Sequence, residues 1–355
     1  MVQHNLIQGA YTALVTPMTA AGAVDWAGLE QLVAYQLAQG IDGILACGTT
    51  GESPTLTPDE HDRVIERVVQ QAGGTAHVMA GVGTNNTATA VHRAQHARDA
   101  GADSGLVVDC YYNGPSSSEL RTAYYGEIIR AVPELPLMAY VIPGRTGCAL
   151  AAEDVAILAT ESGTLAGVKE ATGDLERMAY TRSITGDGFS IMSGDDPLTL
   201  AMMDRDDIRA QGVISVMSNL FPGAVAQMVA YAHAGELELA WMLEKQLAPV
   251  FGLVGITVDT DRNLPHGGTA TVRDKYRNPL PVKTMMAGLG LPVGPCRAPL
   301  GRMQRRGVQQ AREALQQIQA EAPALLQSIA SFFGVDIDKR LNDDAVWTAL
   351  GVEQA

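Results

Sequence analysis

Lysine is scarce in this chain. The 355 residues hold five, Lys169, Lys245, Lys275, Lys283 and Lys339, and arginine supplies the rest of the positive charge. Cysteine is scarcer still: Cys47, Cys110, Cys148 and Cys296 lie far apart and form no Cys-X-X-Cys pair. That spacing argues against a disulfide framework and against a zinc site, and it fits a reducing cytoplasm. Among the seven histidines, His92 and His96 share helical spacing. They lack the glutamate of a HExxH motif and read as solvated, so no metal is expected. No run approaches the roughly 18 apolar residues that a membrane-spanning helix needs. Met1 to Ala20 has neither Lys nor Arg nor a continuous apolar core, so it does not read as a signal peptide. The phosphate-cradling pattern GxxxxGK[ST] is missing, which removes P-loop nucleotide hydrolysis. With 39 acidic against 25 basic residues, the net charge of −14 argues against non-specific binding of nucleic acid or anionic membranes and leaves small molecules as the expected partners.

What is present is an alternation. Short apolar runs at Thr12–Thr16, Ile41–Ala46, His77–Gly81, Gly105–Val108, Leu137–Val141, Leu165–Lys169, Phe189–Ser193 and Gly212–Val216 read as strands. Amphipathic stretches such as Trp26–Gln39, Pro58–Gln71, Thr87–Ala100 and Ser117–Ala131 lie between them. Eight strands, each followed by a helix, predict an α/β fold, a (β/α)8 TIM barrel, over residues 1–235. An open doubly wound sheet is the rival, but Thr16-Pro17-Met18-Thr19 is no glycine-rich nucleotide loop. Residues 236–355 read as a C-terminal α-helical region with an extended tail. Its polar insert near 259–277, with Gly267-Gly268, is expected to be a loop or flap.

In such a barrel the chemistry belongs at the C-terminal ends of the strands. Strand six ends on Lys169. A lysine at a buried strand tip is desolvated, which favours its neutral, nucleophilic form; the alternative is a side chain that snorkels to solvent. Strand five ends on Tyr140 and then Pro143-Gly144-Arg145, a phenol followed by a rigid turn and a guanidinium suited to a carboxylate. Strand two ends in Gly48-Thr49-Thr50-Gly51, whose N–H groups and hydroxyls suit a second carboxylate, unless it is only a tight turn. Tyr111-Tyr112 closes strand four, where an aromatic pair is more often packing. An amine, a phenol and a carboxylate-binding turn make a site for Schiff-base chemistry on a 2-oxo acid, with no metal required.

The sequence resembles the pyruvate-dependent aldolase family of dihydrodipicolinate synthase and N-acetylneuraminate lyase. The matching stretches are Gly48-Thr49-Thr50-Gly51-Glu52, Tyr111-Tyr112-Asn113, Tyr140 with Pro143 to Gly147, and Gly167-Val168-Lys169-Glu170. Ser193-Gly194-Asp195-Asp196, Gly212 to Val216 and Asn278-Pro279-Leu280-Pro281-Val282-Lys283 match as well. The resemblance implies catalytic roles for Lys169, Tyr140, Thr50 and Tyr112. Lys169 forms the Schiff base with pyruvate, and Tyr140 is the acid–base residue linked by Thr50 to Tyr112. It implies that Tyr112 comes from a neighbouring subunit, hence a homodimer or homotetramer. Thr49, Thr50, Gly194 and Ile214 are implied to line the pyruvate pocket, with no cofactor beyond the covalent pyruvate. Arg145 favours the synthase branch, which condenses pyruvate with L-aspartate 4-semialdehyde in lysine biosynthesis.

Some positions depart from the family. Val141 replaces a common asparagine, Asp109-Cys110 replaces threonine-proline, and Val293 to Leu300 looks closer to dehydratase and hydratase-aldolase branches. The alternatives are therefore a related aldolase, hydratase-aldolase or 2-keto-sugar-acid dehydratase, and a catalytically silent binding barrel. Pro58 and Thr89 stand where lysine-inhibited members tend to carry histidine and glutamate, although His61, Asn85 and Tyr111 of that region remain; this predicts weak or absent inhibition by lysine.

Overall fold

Strands buried on both faces of a parallel sheet must be apolar along their whole length, and the short runs meet that condition. The computed structural model describes residues 6–353; residues 1–5 and 354–355, at the outer ends of the two expected regions, lie outside it. Strands β1 (Gly9–Ala13), β2 (Gly43–Ala46), β3 (His77–Gly81) and β4 (Ser104–Val108) are followed by β5 (Leu137–Val141), β6 (Leu165–Glu170), β7 (Ser190–Ser193) and β8 (Gly212–Ser215). They form a closed barrel in sequence order, and β1 closes on β8 in parallel with Tyr11 opposite Ile214. Tyr11, Leu45, Met79, Leu106, Met138, Met192 and Ile214 fill the interior. A second, larger cluster packs between the sheet, its helices and the C-terminal helices. The fold is the expected (β/α)8 barrel.

The outer helices begin on side-chain caps. Asp25 caps α1 (Trp26–Ala38), and Asn86 caps α3 (Thr87–Asp99). Thr57 and Glu60 form a capping box ahead of α2 (Pro58–Ala72), with the proline in the first turn. Such caps satisfy N–H groups that the first turn leaves unpaired. Two local expectations differ from what is found. The first strand stops at Ala13, because Val15 N–H is taken by Asn219 Oδ1 and the Thr16 hydroxyl by the Gly51 carbonyl. Helix α4, residues 117–131, is π-helical over Leu120–Tyr125. That wide turn lets two successive tyrosines point inward: Tyr124 donates to the Val108 carbonyl and Tyr125 to the Val107 carbonyl. Helices α5 (Ala152–Ser162), α6 (Leu175–Thr185), α7 (Thr199–Asp204) and α8 (Pro222–His233) complete the outer ring.

Beyond Gly235 the chain is not helical throughout. After α9 (Leu237–Phe251), the stretch expected as a loop is an antiparallel hairpin of β9 (Gly255–Asn263) and β10 (Thr269–Arg277). Its turn uses Gly267 and Gly268, both at positive φ. Ile256, Val258 and Thr260 point inward, while Asp259 and Arg273 pair across the strands, as do Arg262 and Asp274. Helices α10 (Leu280–Leu289), α11 (Arg305–Glu321), α12 (Ala324–Phe333), α13 (Ile337–Asn342) and α14 (Asp344–Leu350) follow. Among the described residues, no helix is long and apolar enough to cross a membrane.

Candidate active site

The ladder between β5 and β6 sets Tyr140 directly opposite Lys169, so register alone aims a phenol and an amine into the same end of the barrel. Lys169 is 4% exposed, and its Nζ stands 4.4 Å from the centroid of the Tyr140 ring. Burial pulls its pKa down to about 7, the buried carboxyl of Asp196 works against that pull, and the Arg145 guanidinium adds to it. A large part of the amine is therefore neutral near neutrality. Burial likewise pushes Tyr140 up to about 12, with Arg145 and the Thr49 hydroxyl drawing it back. The other deeply buried lysine behaves differently. Lys283 Nζ donates to Glu52 Oε1 at 2.7 Å and to the carbonyls of Pro295 at 2.9 Å and Thr16 at 3.0 Å. None of the hydrogen bonds among the described residues engages Lys169 Nζ.

Glycine at 194 is a steric requirement, since a Cβ there would come within 3.0 Å of Lys169 Cε. After β2, the turn through Thr49 and Thr50 leaves both backbone N–H groups outside the hydrogen bonds of the described residues. Thr50 Oγ1 accepts from Asn278 Nδ2 at 2.9 Å. Arg145 sits on the short turn Pro143–Thr146 and donates from Nη2 to the Asn278 carbonyl at 3.2 Å. Thr49, Tyr111, Tyr140, Ile142, Arg145 and Thr146 line a cavity of about 200 Å³. Among the described residues no group of three or more His, Cys, Asp or Glu side chains could hold a metal ion. This arrangement can bind a carboxylate and offer it a buried amine and a phenol.

The sequence profile of the Dihydrodipicolinate synthetase family matches residues 6–259. The chain belongs to this family. It is 40% identical over 311 residues, 88% of this chain and 99% of the relative, to the 4-hydroxy-tetrahydrodipicolinate synthase of Cellvibrio japonicus. The solved 4-hydroxy-tetrahydrodipicolinate synthase of Methylacidiphilum fumariolicum SolV superposes with a TM-score of 0.80 at 33% identity, covering 91% of this chain and 99% of that one. A dihydrodipicolinate synthase from Cyanidioschyzon merolae with lysine bound gives 0.78 at 34% identity, covering 88% and 98%.

The fold of this family member brings Lys169, Tyr140, Thr49, Thr50, Arg145 and Gly194 to one end of the barrel. Ile214 is buried within the barrel interior, in the same cluster as Tyr140. Tyr112 is placed elsewhere: it is 87% exposed and held at φ 83°, a conformation that a bulky residue adopts only under constraint. Its neighbour Tyr111 lines the cavity instead. Thr50 is joined to Asn278, and among the described residues no hydrogen bond links it to Tyr112 or to Tyr140. Three neighbours of the site escaped the residue-by-residue reading. Asp196 faces Lys169 and accepts from the Val216 and Met217 N–H groups. Asn278 touches both Thr50 and Arg145. Glu52 holds Lys283. Each belongs to a matched motif, but only the fold reveals its partner.

Proposed function

We propose that this protein condenses pyruvate with L-aspartate 4-semialdehyde to give 4-hydroxy-tetrahydrodipicolinate, through a Schiff base on Lys169. The observation that carries the reading is a buried lysine that has no hydrogen-bonding partner among the described residues and stands in register with a buried tyrosine. The neutral amine attacks the ketone carbon of pyruvate while the Thr49 and Thr50 amides hold its carboxylate. Loss of water gives the imine. The imine withdraws electrons from the adjacent methyl group, which loses a proton to become the enamine. Tyr140 moves protons in both steps. The enamine carbon then bonds to the aldehyde carbon, with the second substrate's carboxylate on Arg145. Attack of that substrate's amino group on the imine closes the ring and releases Lys169. No metal or cofactor enters the scheme. The exposed Tyr112 supports its role as a residue lent to a second copy of the chain, so we assign a homodimer or homotetramer. The cysteines are free thiols, which agrees with a cytoplasmic setting.

The test is turnover of pyruvate with aspartate 4-semialdehyde, followed through a coupled reductase, alongside borohydride trapping of pyruvate. Efficient turnover and a trapped adduct on Lys169 are expected. A trapped adduct without turnover would move the assignment to another aldehyde, and no adduct at all would end the Schiff-base reading. Lysine added to the same assay is expected to inhibit weakly or not at all. In the region named by the resemblance, His61 is buried with Nε2 against the Gly81 carbonyl, so it serves the core. Strong inhibition at submillimolar lysine would contradict this.

A further inference from the structure

The hairpin of β9 and β10 delivers a second arginine to the site. Arg277, the last residue of β10, donates from Nη1 to the Gly144 carbonyl at 3.2 Å. Arg145 donates from Nη2 to the Asn278 carbonyl, also at 3.2 Å. Each arginine is thus fastened to the residue next to the other one in sequence, and this reciprocal clasp brings the two side chains to the same turn. Among the described residues neither forms an ion pair with an acidic side chain. Burial lowers the pKa of Arg145, and the charge of Arg277 adds to that shift. Each guanidinium carries five N–H donors in a planar fork, so the clasp leaves most of them unused. Two neighbouring cations without an acid between them repel each other, and an anion bound by both relieves that repulsion.

We propose that Arg277 and Arg145 together form a paired-guanidinium subsite for the carboxylate of the aldehyde substrate, with Arg277 the specificity-determining member supplied by the hairpin. The proposal rests on the aldol reading above and deepens it. Arg145 lines the cavity, and Arg277 stands outside it in solvent, so the pair spans the mouth. An incoming carboxylate meets Arg277 first and is then shared between the two. An aldehyde lacking a carboxylate gains nothing from Arg277. The hairpin thereby acts on the chemistry without contributing a residue to the barrel interior.

The experiment compares wild type, Arg277→Ala and Arg277→Lys. With the pyruvate-loaded protein, succinate semialdehyde and butanal are titrated by calorimetry, and borohydride trapping of pyruvate is measured in parallel. Arg277→Ala is expected to weaken succinate semialdehyde binding about tenfold, with Arg277→Lys recovering part of it. Butanal binding and pyruvate trapping should change less than about twofold, because neither requires a carboxylate at the mouth. With aspartate 4-semialdehyde as substrate, the same loss should fall on KM and leave kcat near its original value. Equal succinate semialdehyde affinities in wild type and Arg277→Ala would overturn the proposal. So would equal losses for the charged and uncharged aldehydes, which would mean that Arg277 only braces the Gly144 turn. The calorimetry does not depend on turnover. If wild type fails to convert aspartate 4-semialdehyde, the aldol assignment falls, while the carboxylate subsite is still judged by its own titration.

Discussion

Two lysines are buried in this protein, and their surroundings assign them opposite work. Lys283 has three oxygen acceptors within 3.0 Å and ties segments together. Lys169 has an aromatic face and a desolvated surrounding, and its ammonium form is held there at a free-energy cost. That cost can be measured. The Lys169 pKa falls from 10.5 to about 7 on folding, so between these values the unfolded chain binds more protons than the folded one. Stability therefore rises with pH across that window, and below pH 7 the whole penalty is present. Lys169→Met should abolish pyruvate trapping and turnover. It should also stabilise the protein by on the order of a few kcal/mol at pH 7. The gain should shrink as the pH approaches 10.5, read from denaturant melts of the two proteins at pH 7, 8.5 and 10. A constant or absent gain would mean that Lys169 is solvated in the native state. Legibility differs among these residues. Lys169 was readable because a lone lysine closing an apolar run is conspicuous. Asn278 was not, because its partner Thr50 lies 228 positions away and an asparagine beside a proline looks like any turn.

At the scale of elements, the barrel was legible because its strands are short, apolar and separated by helices, so the pattern repeats. The hairpin was not. Its outward positions carry charges that pair only across the strands, as Asp259 does with Arg273, and a strand buried on one face is masked by them. The same limit applies to the π-helical turn of α4, which exists to bury Tyr124 and Tyr125 together. Helix α10 illustrates how the C-terminal region is attached. Lys283 reaches from α10 to Glu52, just past the Thr49-Thr50 turn, and Glu52 Oε2 in turn accepts from the Arg297 N–H at 2.8 Å. Both side chains are at most 2% exposed. Removing one partner of such a pair leaves an uncompensated buried charge, so Lys283→Met should cost about 3–5 kcal/mol. The double variant Glu52→Gln, Lys283→Met should recover much of that loss, because the strandedness of the charge, rather than the absence of the pair, is what destabilises. Denaturant midpoints of the four proteins in the cycle check this. A single variant as stable as wild type would show that water reaches the pair.

For the whole molecule, the question is whether one chain makes one complete site. Lys169, Tyr140, Thr49 and Arg145 are gathered by a single barrel, whereas Tyr112 projects from the end of β4 into solvent. An apolar ring that is 87% exposed and fixed at positive φ is an expensive way to build a surface, and it is explained if the ring enters a second copy. In an isologous dimer each copy would lend its Tyr112 to the other. Complementation separates this from a role within the chain. Lys169→Ala alone has no nucleophile, and Tyr112→Phe alone is expected to lose about 10²-fold in kcat, the usual worth of a proton-transfer group. Co-expressed in equal amounts, the two variants form mixed dimers in half of the pairings. In each mixed dimer, one barrel keeps its own Lys169 and receives an intact Tyr112 from the Lys169→Ala partner. Activity should return to about a quarter of the wild-type level per subunit, far above the sum of the separate variants. If Tyr112 served its own barrel, no mixed dimer would hold both groups in one site, and activity would stay at that sum. If Tyr112 served no barrel, Tyr112→Phe alone would keep wild-type kcat. The mixed-dimer rate therefore decides whether the active unit is the chain or the pair.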